Sequence, residues 1–215
     1  FWSENAATTI AVGNNPAAIA WDGSSVWVTN NGSNTVSKVN PTTNAVIATV
    51  AVAAQPYGIT YDGMSIWVAS MSGTVSRIDP STNSVTATIA VTGNPSMISA
   101  GAGAVWVSRL SGVVSRIDTT TNTVVANITV GSSPYWSIYD GTSLWVSNFG
   151  TNTLSRISPS SNAVVGTVTV GNQPFGLAVD GNRLWVALAS SHQVVNVNTT
   201  TNAVSAPIAV GTTPY

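Results

Sequence analysis

Five tryptophans constrain this chain more than any other feature. Trp27, Trp67, Trp106, Trp145 and Trp185 follow one another at intervals of 40, 39, 39 and 40 residues. Two more combs keep the same register: Pro16, Pro56, Pro95, Pro134, Pro174 and Pro214, and Asn44, Asn83, Asn122, Asn162 and Asn202. Three residue types sharing one period define a tandem repeat. At this period each unit is one supersecondary motif that must bury its apolar face against its neighbours. Complete units run 13–52, 53–91, 92–130, 131–170 and 171–210 within a single domain over 1–215. Residues 1–12 read as an extra strand, with Thr8, Ile10 and Val12 on one face, and 211–215 as the start of a sixth unit.

Each unit parses into four strands. In the second, residues 57–61 end at Asp62-Gly63, a tight-turn pair. Residues 65–69, 74–78 and 85–91 follow, and no stretch carries a useful helical period. Strand four alternates, with Val85, Ala87, Ile89 and Val91 opposite Thr86, Thr88 and Ala90, as a half-exposed outer strand does. Strand two, Ile66-Trp67-Val68, has no polar face, which predicts cover on both sides. A four-stranded antiparallel sheet with sandwiched inner strands, repeated about every 40 residues, predicts an all-β propeller of five blades. The indoles are then the packing residues between blades.

The segments Pro56-Tyr57-Gly58-Ile59, Asp62-Gly63, Ile66-Trp67-Val68 and Val75-Ser76-Arg77-Ile78-Asp79 resemble the YVTN, NHL and streptogramin-lyase-like propeller repeats, and the resemblance runs from about Asn5 to Tyr215. It is specific for the fold and unspecific for function. Streptogramin B lyases require His and Glu residues with a magnesium ion. This chain has one His, His192, and one Glu, Glu4, so the resemblance implies the fold without the lyase activity, and no cofactor.

Three arrangements of the ends fit the repeats: part of a six- or seven-bladed ring, a five-bladed ring with two strands competing for one outer slot, or strand exchange with a neighbouring molecule. Pro207 removes a ladder donor from the last outer strand, so that strand suits an edge. The expectation is five complete blades plus a spare N-terminal strand, which either competes for the outer slot of the ring or joins molecules into an oligomer or polymer.

Composition narrows the partners. Lys+Arg is 6 and Asp+Glu 7, so 6% of residues are charged, against roughly 25% in an ordinary soluble domain. Nucleic acid is excluded, because neutralising phosphates takes clustered cations. No apolar run is long enough for a membrane-spanning helix. Without cysteine there is no disulfide, thiolate nucleophile or Cys-ligated zinc. A surface of Thr, Ser and Asn predicts an extracellular or cell-surface location, and a chain starting at Phe1 reads as processed or excised. The sequons at Asn31, Asn127 and Asn198 are expected by chance in a chain so rich in Asn and Thr.

Asp22, Asp62, Asp140 and Asp180 each precede Gly, and the third unit has Gly101-Ala102 instead. They read as turn caps, not as a metal array. Lys38, Arg77, Arg116 and Arg156 share one position, replaced by Asn196 in the last unit; they read as stems lying on the strand with heads in solvent or paired to Asp. His192 reads as a solvated loop residue, and no catalytic or metal residue is assigned. Strand direction puts the residues after each Pro on one face with the loops between strands two and three. That face carries Tyr57, Arg109, Trp136, Asn148 and Phe175, the expected ligand-binding set. The functional expectation is a non-catalytic binding module for a glycan or a peptide, with a structural subunit of an extracellular assembly as the rival and a lyase-like enzyme third.

Overall fold

The computed structural model describes residues 9–214 and is all-β. Blade 1 comprises β1 (Pro16–Trp21), β2 (Val26–Asn30), β3 (Thr35–Asn40) and β4 (Ala45–Ala51), and blade 2 comprises β5 (Pro56–Tyr61), β6 (Ile66–Ser70), β7 (Thr74–Asp79) and β8 (Ser84–Ala90). Blade 3 has β9 (Pro95–Gly101), β10 (Ala104–Arg109), β11 (Val113–Asp118) and β12 (Thr123–Thr129). Blade 4 has β13 (Pro134–Tyr139), β14 (Leu144–Asn148), β15 (Thr153–Ser158) and β16 (Ala163–Thr169). Blade 5 has β17 (Pro174–Asp180), β18 (Arg183–Leu188), β19 (Gln193–Asn198) and β20 (Ile208–Ala209). Strands follow chain order across each sheet and every pairing is antiparallel. The extra strand expected over 1–12 falls partly outside the described residues, and 9–12 are not in a strand.

The first strands of successive blades pack closely while the fourth strands diverge, so the sheets fan about an axis lined by β1, β5, β9, β13 and β17. The second strands of blades 2 and 4 are buried along their whole length, as their unbroken apolar runs require, whereas β18 of blade 5 leaves Arg183 exposed and Trp185 and Ala187 partly buried. Each blade meets the next through a repeated set. Trp27, Val36 and Val50 of blade 1 pack on Ile59, Ile66, Val68 and Ile78 of blade 2, and the same pattern recurs to blade 5. The indoles of Trp27, Trp67, Trp106 and Trp145 are 0% exposed.

Five blades and four such clusters make an array that does not close on itself: no first-strand packing comparable to the other four joins β17 back to β1 among the described residues. On the outward face of blade 1, Ile19 is 71% exposed where its counterpart Ile59 is 7%. Blade 5 is also frayed. Its outer segment is broken: β20 pairs with β19 at Gln193↔Ala209 and Val194↔Ile208, a single bridge joins Val197 to Val204, and Pro207 between them has no amide to donate.

Two side-chain devices hold the fan together. Asp22, Asp62 and Asp140 cap their turns, as expected, and each also accepts the indole N–H five residues on, at 2.7 Å in all three. In blade 3 the Gly101 carbonyl takes that role for Trp106, at 3.1 Å. The cation series corrects its expectation. The heads lie 5.0–5.5 Å from the indole of their own blade. Three of them donate into the next blade: Lys38 to the Pro80 carbonyl, Arg77 to the Thr119 carbonyl and Asn122 Oδ1, and Arg116 to the Pro159 carbonyl and Asn162 Oδ1. They latch neighbouring blades instead of pointing to solvent or pairing with Asp.

Candidate binding site

The first strands begin at prolines on the same end of the fan as the loops after the second strands, since Pro56 pairs with Ser70 and Pro134 with Asn148. Residues just past each Pro therefore face the axis, where the blades are closest. There β5 approaches β9 so nearly that a Cβ on Gly58 would sit 2.5 Å from the Ser96 carbonyl oxygen. That closeness gathers aromatic rings. Tyr135 meets Tyr57 edge to face at 6.1 Å, with the two hydroxyls hydrogen-bonded, and stacks on Phe175 at 4.3 Å. Phe175 lies 6.4 Å from Trp136 and 6.3 Å from Phe149, so three blades contribute to one cluster. All five rings are half-buried. Burial, with the Tyr57 hydroxyl bond next, pushes the Tyr135 phenol well above its ordinary value, so its proton stays in place.

Phe149 continues this cluster into a shallow cavity of about 360 Å³ between blades 4 and 5, lined also by Gly150, Asn152, Asn172, Gln173 and Ser190. Its lining carries amides and a hydroxyl and no charge. Asn152 Oδ1 and Ser190 Oγ already bond Gln173 there.

Of the residues expected to form the site, Tyr57, Trp136 and Phe175 come together. Arg109 and Asn148 do not join them. Asn148 is fully buried and donates to Thr153 and Ser155 within its own blade, as Asn30 does to Thr35 and Ser37. Arg109 fills the same position in blade 3 and donates to Ser115 and to Asn127 on the outer strand. Both share the every-other-residue register of the apolar residues that face the preceding blade (Val105 and Val107; Leu144 and Val146), so their side chains belong to blade packing. Tyr135 and Phe149 were legible as members of this face but not as members of one cluster, because their meeting depends on the curvature of the fan.

His192 is exposed, and its Nδ1 accepts the Thr213 amide at 2.9 Å. Asn34 and Asn152 accept the matching amides of Gln55 and Gln173, so His192 is a turn residue that ties the chain after blade 5. Its backbone is left-handed (φ 55°), as theirs is. Among the described residues no group of three or more His, Asp or Glu side chains is placed to hold a metal ion, and no helix is long and apolar enough to cross a membrane.

No family model matches the chain, and no curated protein matches it. Solved structures do. A streptogramin B lyase structure superposes with a TM-score of 0.81 over 93% of this chain and 70% of that one, at 16% identity. Hydrazine synthase from Kuenenia stuttgartiensis superposes with a TM-score of 0.69 over 99% of this chain and 92% of that one, at 17% identity. At such identities the likeness defines the fold class, a β-propeller of five four-stranded blades, and goes no further.

Proposed function

We propose that the chain is a non-catalytic, extracellular binding module whose ligand is a neutral glycan held at the axial mouth. The observation that carries this reading is the run of half-buried rings Tyr57, Tyr135, Phe175 and Phe149 leading into an uncharged, amide-lined cavity. Pyranose faces stack on such rings, and amide and hydroxyl groups select among ring hydroxyls without needing a charge. The scarcity of charge disfavours an anionic ligand, and His192 is occupied in a turn, with no acid to orient it as a base among the described residues. A peptide laid across the same rings is the alternative ligand.

Titration against soluble oligosaccharides and a peptide library, read by isothermal titration calorimetry, tests the proposal. Saturable binding of an oligosaccharide, lost in Tyr57→Ala and Trp136→Ala, is expected. Phe149→Ser guards against a packing artefact, because it removes a loop ring that stands outside the buried apolar core between blades 4 and 5. Binding that survives all three substitutions, or binding of peptides alone, would overturn the glycan reading.

A further inference from the structure

Arg109 interrupts the repeat, and the seat its head takes in blade 3 has a counterpart in blade 4. Arg109 pairs with Pro95 and Val113 across its sheet as Asn148 pairs with Pro134 and Thr153, so the two side chains start from one position. The longer Arg109 lays its guanidinium against the linker from blade 2 to blade 3, where a Cβ on Gly93 would sit 3.1 Å from both Nε and Nη2. Its Nη1 donates to Ser115 Oγ at 3.0 Å and to Asn127 Oδ1 at 2.8 Å. Neutral oxygens thus hold a planar cation between two blades.

In blade 4 that seat is open. Ser155 and Thr167 pair across β15 and β16 as Ser115 and Asn127 pair across β11 and β12. Between them and the end of blade 3 lies a groove of about 390 Å³, with Thr129, Thr151, Thr153, Ser155 and Thr167 as its hydroxyl wall and Gly131 of the linker beside them. Ser155 is buried, while Thr129 and Thr167 are exposed. The shorter Asn148 is spent on the wall itself: its Nδ2 donates to Thr153 and Ser155. Asn148 is fully buried, and its Oδ1 has no hydrogen-bond partner among the described residues. An unpaired buried acceptor next to a hydroxyl-lined groove favours a ligand that brings N–H donors. Blade 1 repeats the four side chains as Asn30, Thr35, Ser37 and Thr49, but among the described residues no outer strand precedes it to form the second wall.

We propose that the groove between blades 3 and 4 binds a guanidinium group, presented by an arginine side chain of a partner peptide, in the pose that Arg109 adopts one blade earlier. The fork donates to Ser155 Oγ and Thr167 Oγ1, the counterparts of Ser115 Oγ and Asn127 Oδ1, with the Asn148 amide oxygen as third acceptor. Lysine fits less well, because an ammonium has no planar fork to span separate acceptors. The groove opens between β12 and β16, the outermost strands of their blades, so the group can arrive on a carrier as large as a peptide.

The test titrates the whole chain with a blocked glycine–arginine–glycine tripeptide, its lysine analogue and methylguanidinium, following the backbone amide shifts of Thr151, Thr153, Ser155 and Thr167. Saturable shifts are expected with the arginine peptide and with methylguanidinium. The lysine peptide should bind about tenfold more weakly or worse, the loss of one charge-assisted bond. Asn148→Arg should keep the fold, as blade 3 does with Arg109, and abolish binding by filling the groove from within. Thr167→Val changes only an exposed hydroxyl and should weaken binding by about tenfold. No saturable shift, equal binding of the lysine peptide, or binding that survives both substitutions would overturn the proposal. Methylguanidinium binding with the arginine peptide excluded would overturn the peptide as the source of the group.

Discussion

At the scale of single residues, the Asp–Trp bond recurs in blades 1, 2 and 4. Burial pushes the Asp22 carboxyl up, but the bonds from Trp27, Ser25 and Ser24 together outweigh it and hold the group below its ordinary value. In Asp140 burial is likewise outweighed, by Ser143, Trp145 and Thr142. A depressed folded-state value means that this stabilisation is complete above the unfolded value of 3.8 and is lost as pH falls through the lower folded value. Asp140→Asn should therefore flatten the acid limb of a stability–pH profile below about pH 4. At neutral pH it should destabilise by about 1–2 kcal/mol, the low end for bonds to a charged group because the turn is partly open to water. Chemical denaturation across pH checks both. The tryptophans make a second contrast. Trp106→Ala should cost about 3–5 kcal/mol, as for a fully buried ring, and Trp185→Ala roughly half of that or less, because one side of its ring has no neighbouring blade. Equal losses in urea titrations would contradict the assignment of Trp185 to an uncovered face.

Among elements, the strands and their depth were legible because alternation and the tryptophan comb report directly on burial. What a side chain meets across a blade boundary was not. The register of Arg77 and Arg116 could be read, but the acceptors lie about forty residues on, in a turn whose position depends on the fan. Asn148 and Arg109 were placed at the mouth from their loop position alone. Their parity with the apolar residues of β14 and β10 pointed toward the preceding blade, a signal present in the sequence. The fixed five-residue offset between Asp and Trp likewise held the Asp–indole bond in plain view. Two substitutions test these contacts. Arg116→Met keeps the stem on Trp106 but removes both bonds to blade 4, and should destabilise by about 1–3 kcal/mol. Gly58→Ala forces β5 from β9, and a loss of about 1–3 kcal/mol, the usual range for overpacking, is expected in the same denaturation assay.

The whole molecule is a short stack whose blades each touch only their neighbours, so stability is carried by four interfaces and the ends are its weakest parts. Blade 5, with a two-residue outer strand and no latch cation, should exchange amide hydrogens fastest. The central claim is that the fan is open, with Trp21 and Trp185 at its two uncovered faces and four indoles sealed inside. Hydroxyl-radical footprinting of the native chain, resolved by mass spectrometry, addresses it most directly. Oxidation should be heavy at Trp21 and Trp185 and near background at Trp27, Trp67, Trp106 and Trp145. Protection of Trp21 and Trp185 to the level of those four in a monomeric sample would mean that the ring closes on itself.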